Sequence, residues 1–184
     1  MREEVIIAGF GGQGVLFAGQ LLAYSGLKAG KHVSWWPSYG AAMRGGTANC
    51  TVIISDEEIA SPVVAHPSAA MVMNRPSMDK FEPLVKPGGV LVVNTSLVTR
   101  SSEREDITVV EVPANAIADE LGNPRLANMA MVGALIGTTR MLPLETVVAA
   151  LEEHMPERHR HLLDLNKAAL RRGVAIAAGL NVEA

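Results

Sequence analysis

The sequence of 184 residues has little of several features that would indicate particular classes of protein. Its single cysteine, Cys50, excludes an internal disulfide framework and an iron–sulfur cluster held by cysteines of this chain alone. Aromatic residues make up only 4%, and no apolar run approaches the roughly 18 residues of a membrane span. Blocks of like charge are short, and a net charge of -3 creates no general field for nucleic acid. The composition therefore predicts a globular protein without a membrane or nucleic-acid partner.

The N-terminal segment joins a buried type of strand to a glycine loop and a helix. Gly9, Gly11 and Gly14 fit the pattern G-x-G-x-x-G, and apolar residues of a helix follow them directly. Glycine permits positive φ and lets an anion approach the backbone, while free N–H groups at a helix start favour negative charge. The loop predicts a site for a phosphate or carboxylate group. The alternative is a tight strand-to-helix crossover without a ligand.

The residues after this loop disfavour a nicotinamide dinucleotide site. Such a site uses an acidic residue about 20 positions further on, at the end of the second strand, to hold the ribose. No Asp or Glu occurs between Glu4 and Asp56, and the second predicted strand ends in Pro37 and Ser38. Arg44 lies too far into the next segment to receive a 2′-phosphate at the strand end.

Strand-like and helical segments alternate along the chain. The strands are predicted near 4–9, 32–36, 47–54, 69–73, 89–94 and 107–112, and the helices near 13–29, 76–85, 114–121, 125–140, 143–153 and 157–179. This alternation predicts an α/β fold with a Rossmann-like, mainly parallel sheet covered by helices on both faces. The strand at 47–54 is expected to be antiparallel, because no helix separates it from the preceding strand. Without a linker or repeat, residues 1–184 are expected to form a single domain.

Small residues form a ridge on the helix predicted at 125–140, which is apolar nearly all round and must be buried. The ridge consists of Ala130, Gly133, Ala134 and Gly137. Their spacing of three and four residues predicts close packing on another helix or on another subunit.

Several polar residues are candidates for chemistry. Arg44, set between small residues in the segment 37–47, could grip a carboxylate or phosphate. Asn74 follows an apolar strand and is either a helix cap or a ligand group. Asn166, on the apolar face of the last helix, needs a hydrogen-bond partner, for which a neighbouring loop is favoured over a ligand. His159 and His161 lie two apart on a predicted helix and cannot share a metal ion, so no metal site is predicted.

Three segments taken together closely resemble the gamma subunit of 2-oxoacid:ferredoxin oxidoreductases, which act on pyruvate, 2-oxoglutarate or ketoisovalerate. They are residues 9–14 (GFGGQG), 39–46 (YGAAMRGG) and 128–135 (NMAMVGAL). The first segment alone would be a weak signal, whereas the second is specific. The resemblance covers essentially the whole chain.

The resemblance implies a subunit that is noncatalytic alone, in a complex that oxidatively decarboxylates a 2-oxoacid to an acyl-CoA and passes electrons to ferredoxin. Thiamine diphosphate, magnesium and the iron–sulfur clusters would belong to partner subunits, of the alpha, beta and ferredoxin-like kinds. This chain would close over the active site and help to accommodate coenzyme A. The matching positions are Gly11, Gly12, Gln13, Gly14, Tyr39, Met43, Arg44 and Gly45.

A second hypothesis is that the chain is a freestanding module of Rossmann-like fold that binds coenzyme A or a nucleotide. Co-purification with larger chains would separate the two hypotheses, because only a subunit of a complex is expected to bring them along.

The sequence does not identify the 2-oxoacid and favours 2-oxoglutarate only slightly. The N-terminus runs directly into a strand without a signal peptide, so a cytoplasmic location is expected. Expressed alone, a chain with an orphaned apolar interface often forms a homodimer.

Overall fold

The fold is built on one six-stranded sheet, in a computed structural model that describes residues 1–38 and 47–179. The strands are β1 (Arg2–Phe10), β2 (His32–Ser38), β3 (Thr47–Ser55), β4 (Ala69–Val72), β5 (Val90–Asn94) and β6 (Thr108–Val112). Their order across the sheet is β2-β3-β1-β4-β5-β6. Because β3 alone runs antiparallel to its neighbours, the other five strands end at the same edge of the sheet.

Helices cover both faces of this sheet. They are α1 (Val15–Lys28), α2 (Arg75–Phe81), α3 (Ala114–Glu120), α4 (Ala127–Thr139), α5 (Leu144–His154) and α6 (Leu163–Ala177). Successive side chains of a strand point to opposite faces, so Val5 and Ile7 of β1 join the core beneath α1 and α3–α6. Ile6 and Ala8 join the smaller core beneath α2. In the described ranges, no helix has both the length and the apolar character that crossing a bilayer demands.

The predicted fold class is confirmed, with six strands and six helices at the predicted places. The antiparallel orientation of β3 is also confirmed. Two helices differ from the prediction by four or more residues at one end. The helix predicted at 76–85 ends at Phe81, and a 3₁₀ turn at 82–84 comes next, because Pro83 has no N–H to continue the α-helical ladder. The helix predicted at 157–179 opens with a 3₁₀ segment at 157–162, a common form of a first helical turn.

The ridge of small residues on α4 packs against α6, so the prediction of a helix as its partner is confirmed. Gly133 faces Gly173 so closely that a Cβ added to Gly133 would lie 3.1 Å from the Gly173 Cα atom. The same Cβ would lie 2.9 Å from the carbonyl carbon of Leu170. The two helix backbones therefore touch, and neither glycine can carry a side chain without separating them.

Cys50 is a buried core residue of β3, and we expect it to be chemically inert in the folded protein. Its thiol donates a hydrogen bond to the Val15 carbonyl oxygen at 3.6 Å, and burial raises the pKa of Cys50 to about 12. Since the thiolate is the reactive form, the native protein at pH 8 should resist alkylation by iodoacetamide. The same protein in denaturant should be alkylated once per chain. Alkylation of the native protein at the rate of the unfolded one would contradict the burial.

Candidate glycine-loop site

The glycine loop lies at the carboxyl edge of the sheet, between the end of β1 and the start of α1. Gly12 and Gly14 have φ values of 93° and 72°, which glycine adopts without strain. Gly14 is the N-cap of α1, and no side chain of the described residues caps this helix or places an acid in its first turn. The first amides of α1 are therefore left for a solvent molecule or an anion.

Gln13 shapes the loop with its side-chain oxygen. The Gln13 Oε1 atom accepts hydrogen bonds from the Phe10 amide at 2.6 Å and from Asn74 Nδ2 at 3.2 Å. The Asn74 Oδ1 atom in turn accepts from the Ser77 amide at 3.0 Å, so Asn74 is the N-cap of α2. The cap alternative for Asn74 is thus confirmed. Gln13 ties the loop to β1 and to the β4–α2 turn, an internal role that the sequence did not indicate.

Asn128, in the first turn of α4, holds the loop from the other side. Its Nδ2 atom donates to the Gly14 carbonyl oxygen at 3.2 Å, and a Cβ on Gly14 would lie 3.0 Å from the Asn128 Cγ atom. Asn128 is only 4% exposed, yet its buried Oδ1 atom accepts no hydrogen bond in the described part of the chain. Buried side-chain oxygens are normally paired, which makes this one unusual.

Two cavities open beside the loop. The larger, of about 350 Å³, is lined by Gly12, Gly14, Phe17, Arg125, Leu126, Asn128, Met155, Pro156, Arg158, His159, Leu162 and Asn166. The smaller, of about 220 Å³, is lined by Gly12, Gln13, Met73, Asn115, Pro124, Arg125 and Ala127. Among the described residues, neither lining includes a carboxylate, and two arginines face the larger cavity. The crevice is therefore locally positive, although the chain as a whole carries a charge of -3.

The structure brings together only part of the predicted site. Gly11, Gly12, Gln13 and Gly14 form the loop, and all except Gly11 line a cavity. The other predicted residues, Tyr39, Met43, Arg44 and Gly45, lie outside the described residues. Thr47, the first residue described after them, pairs with Phe10 directly before the loop.

Sequence reasoning missed the cationic residues of the crevice. Arg158 and His159, on the helix predicted at 157–179, line the larger cavity because residues 157–162 form a 3₁₀ segment beside the start of α1. Arg158 Nε donates a hydrogen bond to His159 Nε2 at 3.2 Å, so this nitrogen is the acceptor of that bond. Asn166 donates to the Leu162 carbonyl oxygen at 2.7 Å, in the preceding turn rather than in a neighbouring loop. The described residues contain no group of three or more His, Cys, Asp or Glu that could hold a metal ion.

Comparisons with known sequences match most of the chain to proteins of 2-oxoacid oxidoreductases. The family model for pyruvate ferredoxin/flavodoxin oxidoreductase matches residues 4–176. Ketoisovalerate oxidoreductase subunit VorA of Methanothermobacter marburgensis is 44% identical over 133 residues, but the chain covers only 28% of that protein. The 2-oxoglutarate synthase subunit KorC of Methanocaldococcus jannaschii is 34% identical over 172 residues, which are 91% of this chain and 92% of the relative.

Solved structures share the fold. The gamma subunit of a keto/oxoacid ferredoxin oxidoreductase from Geobacter sulfurreducens is 28% identical, with a TM-score of 0.86 over 97% of this chain and 98% of that one. A 2-oxoglutarate:ferredoxin oxidoreductase from Magnetococcus marinus, solved with 2-oxoglutarate, coenzyme A and succinyl-CoA, gives a TM-score of 0.88. That match covers 99% of this chain and 32% of the larger one, and at 23% identity it speaks for the fold alone.

Proposed function

The chain belongs to the pyruvate ferredoxin/flavodoxin oxidoreductase family, with the fold of its gamma subunits, and we propose that it is the gamma subunit of a cytoplasmic 2-oxoacid:ferredoxin oxidoreductase. The complex would decarboxylate a 2-oxoacid of the 2-oxoglutarate or pyruvate type, form an acyl-CoA and pass electrons to ferredoxin. Residues 1–184 would form one domain of it. Alpha, beta and ferredoxin-like subunits would hold thiamine diphosphate, magnesium and the iron–sulfur clusters.

The observation that carries the role of this chain is its open glycine loop at a locally positive crevice. Coenzyme A bears phosphate groups, which suit the uncapped amides at the start of α1 and the arginines beside them. We propose that Gly11, Gly12, Gln13 and Gly14 approach the coenzyme through their backbone. Tyr39, Met43, Arg44 and Gly45 would complete the site.

In this role the chain binds and orients a substrate and carries out no chemistry itself. Holding the phosphates of coenzyme A fixes the direction from which its thiol reaches the acyl group formed on a partner subunit. Covering the reaction with this domain also excludes water, which would otherwise hydrolyse the activated acyl group. The chain is therefore proposed to raise the rate of acyl transfer while contributing no proton donor, nucleophile or metal.

Purification of the tagged protein from its native cytoplasm under anaerobic conditions tests the complex. We expect larger chains to co-purify and the preparation to reduce ferredoxin with a 2-oxoacid only when coenzyme A is present. The identity of the active 2-oxoacid then gives the substrate. A folded chain that comes alone with bound coenzyme A or nucleotide would replace the complex by the freestanding module.

Replacing Arg44 by alanine should weaken the use of coenzyme A by the assembled complex. Loss of one charge-assisted hydrogen bond to a phosphate is worth roughly a tenfold rise in the KM for coenzyme A. The KM for the 2-oxoacid and the subunit composition should stay unchanged. Arg171→Ala is the matched control, since Arg171 is exposed on α6 and lines neither cavity. An unaltered KM for coenzyme A in Arg44→Ala would remove Arg44 from the site.

A further inference from the structure

We propose that the outer edge of β2 is an interaction surface for a second copy of this chain, with the two β2 strands pairing antiparallel across a two-fold axis. The pairing joins two six-stranded sheets into one continuous sheet. It also places the α1 helices of the two copies side by side on the same face of that sheet. Such pairing does not depend on whether the chain binds coenzyme A.

The backbone of β2 has free hydrogen-bonding groups on its outer edge, since only β3 pairs with it among the described residues. The Asp56 amide donates to the Met1 carbonyl oxygen at 2.9 Å, which extends the β1–β3 ladder, so even-numbered residues of β3 bond to β1. The alternation of an antiparallel ladder then gives the odd-numbered residues of β3 to the even-numbered residues of β2. Val33, Trp35 and Pro37 therefore direct their backbone groups outward. Pro37 fits this position, because proline has no N–H to donate and is tolerated on edge strands.

A second β2 strand satisfies these groups. The register that pairs both strands along their full length of seven residues places Trp35 opposite Trp35 of the second copy. The two Trp35 amides then donate to each other's carbonyl oxygens. Each Val33 amide donates to the Pro37 carbonyl oxygen of the other copy. Every outward N–H group of both strands thus has an acceptor, and the absent N–H of Pro37 costs no bond to the other amides.

The side chains of β2 do not oppose the pairing of two identical strands. The strand reads HVSWWPS and contains no lysine, arginine or acidic residue. Exposed edge strands are usually protected by charged side chains, because like charges brought opposite each other destabilise a pair. The other edge strand, β6, is shorter and carries the exposed Glu111. On β2, by contrast, Trp36 is 61% exposed, and in the paired register its ring lies over Ser34 of the second copy.

An apolar trough between α1 and β2 runs along the same edge. It has a volume of about 210 Å³ and is lined by Gln20, Ala23, Tyr24, Leu27, Val33 and Trp35, none of which is charged. Tyr24 and Leu27 are 39% and 58% exposed, and their spacing of three residues puts them on one face of α1. Across the two-fold axis they meet the same side chains of the second copy. Pairing therefore buries apolar surface in addition to forming backbone hydrogen bonds.

The size of this face predicts a dimer that dissociates readily. Seven residues at about 3.4 Å each give a length of about 24 Å, and one sheet layer with one helix layer gives a height of about 20 Å. Specific interfaces bury about 1,200 to 2,000 Å² in total, and a face of these dimensions lies at the low end. We expect monomer and dimer to exchange, with a dissociation constant on the order of 10 μM.

Sedimentation of the full chain over a range of concentrations measures the dimer, and amide hydrogen exchange followed by NMR locates it. The Val33 and Trp35 amides should exchange about tenfold more slowly as the dimer forms. The Ser34 and Trp36 amides bond to β3 and should exchange at a rate that does not change with concentration.

Trp36→Lys should weaken the dimer by about tenfold, because the two new ammonium groups lie on diagonal positions about 8 Å apart across the axis. Leu97→Lys is the matched control and should leave the dimer unchanged. Leu97 is 42% exposed and follows β5, which lies on the far side of the sheet from β2. If Trp36→Lys does not fold, Leu27→Lys takes its place.

Three results would overturn the paired edge. They are a chain that stays monomeric at all concentrations, a dimer in which Val33 and Trp35 exchange as fast as in the monomer, and protection of both amides already in the monomer. Protection that appears only on addition of larger co-purifying subunits would replace the second copy by a strand of such a subunit. A chain that pairs through β2 but co-purifies with no larger chain would overturn the proposed function alone.

Discussion

Gly133→Ala is expected to lower the free energy of unfolding by about 2 kcal/mol or more, although alanine is the better helix former. Alanine in a helix interior gains about 1 kcal/mol over glycine. Against that gain, the new methyl group would overlap the Leu170 carbonyl group and lie 3.1 Å from the Gly173 Cα atom. Overpacking against backbone cannot be relieved by a rotamer change, and it costs about 3 kcal/mol or more. Packing therefore outweighs propensity here.

Urea unfolding of Gly133→Ala, Gly173→Ala and Gly137→Ala gives a graded comparison. Gly173→Ala should be as harmful as Gly133→Ala, because its Cβ would lie 2.6 Å from the Ala134 amide nitrogen. Gly137→Ala should cost least, since its closest neighbour is the Ala177 methyl group, at 2.8 Å near the end of α6. If Gly133→Ala were as stable as wild type or more so, the backbone contact between α4 and α6 would be wrong.

The sheet could be predicted from the sequence because its strands are short apolar runs bounded by turns. Strands β4 and β5 are buried on both faces, which is what continuous apolar residues indicate. The antiparallel orientation of β3 could be deduced from a simple argument about connections, since a parallel pair needs a crossover. The position of β3 between β1 and β2 was not predicted, because strand order depends on long-range pairing.

The position of β3 between β1 and β2 gives a second reason why the glycine loop differs from a nicotinamide dinucleotide site. In a dinucleotide-binding Rossmann fold, the second strand lies beside the first, and its end reaches the ribose. Here β3 separates β1 from β2, so the end of β2 at Ser38 is one strand further from the loop. The missing acidic residue and the inserted strand are independent arguments for the same conclusion.

The glycine loop could be predicted from the sequence, whereas the other residues of the crevice could not. A loop motif is local, and its glycines are required by local backbone angles. Arg125, Arg158 and Asn128 meet it only because α4 and the 157–162 segment pack next to α1. Residues more than 100 positions apart in the chain carry no pattern in one sequence that would show such a contact. Arg158 in particular looks like any charged residue of an exposed helix.

Gly12→Ala should act mainly on coenzyme A binding, whereas Gly14→Ala should act mainly on stability. Both glycines have positive φ, which costs alanine about 1 kcal/mol. A methyl group on Gly12 meets no atom of the described residues, so its unfolding free energy should fall by no more than that. The same methyl group enters the space beside both cavities, because Gly12 lines each of them, and coenzyme A binding should weaken.

For Gly14→Ala the main cost is steric. Its methyl group would overlap the Asn128 amide group, which must turn aside, and together with the positive φ this should lower the free energy of unfolding by about 2 kcal/mol. Adding Asn128→Ala removes the overlapping atoms and should recover most of this loss, a coupling that a double-mutant cycle in urea measures directly. Additive destabilisation by Gly14→Ala and Asn128→Ala would show that the two residues do not touch, and the geometry of the loop would then be wrong.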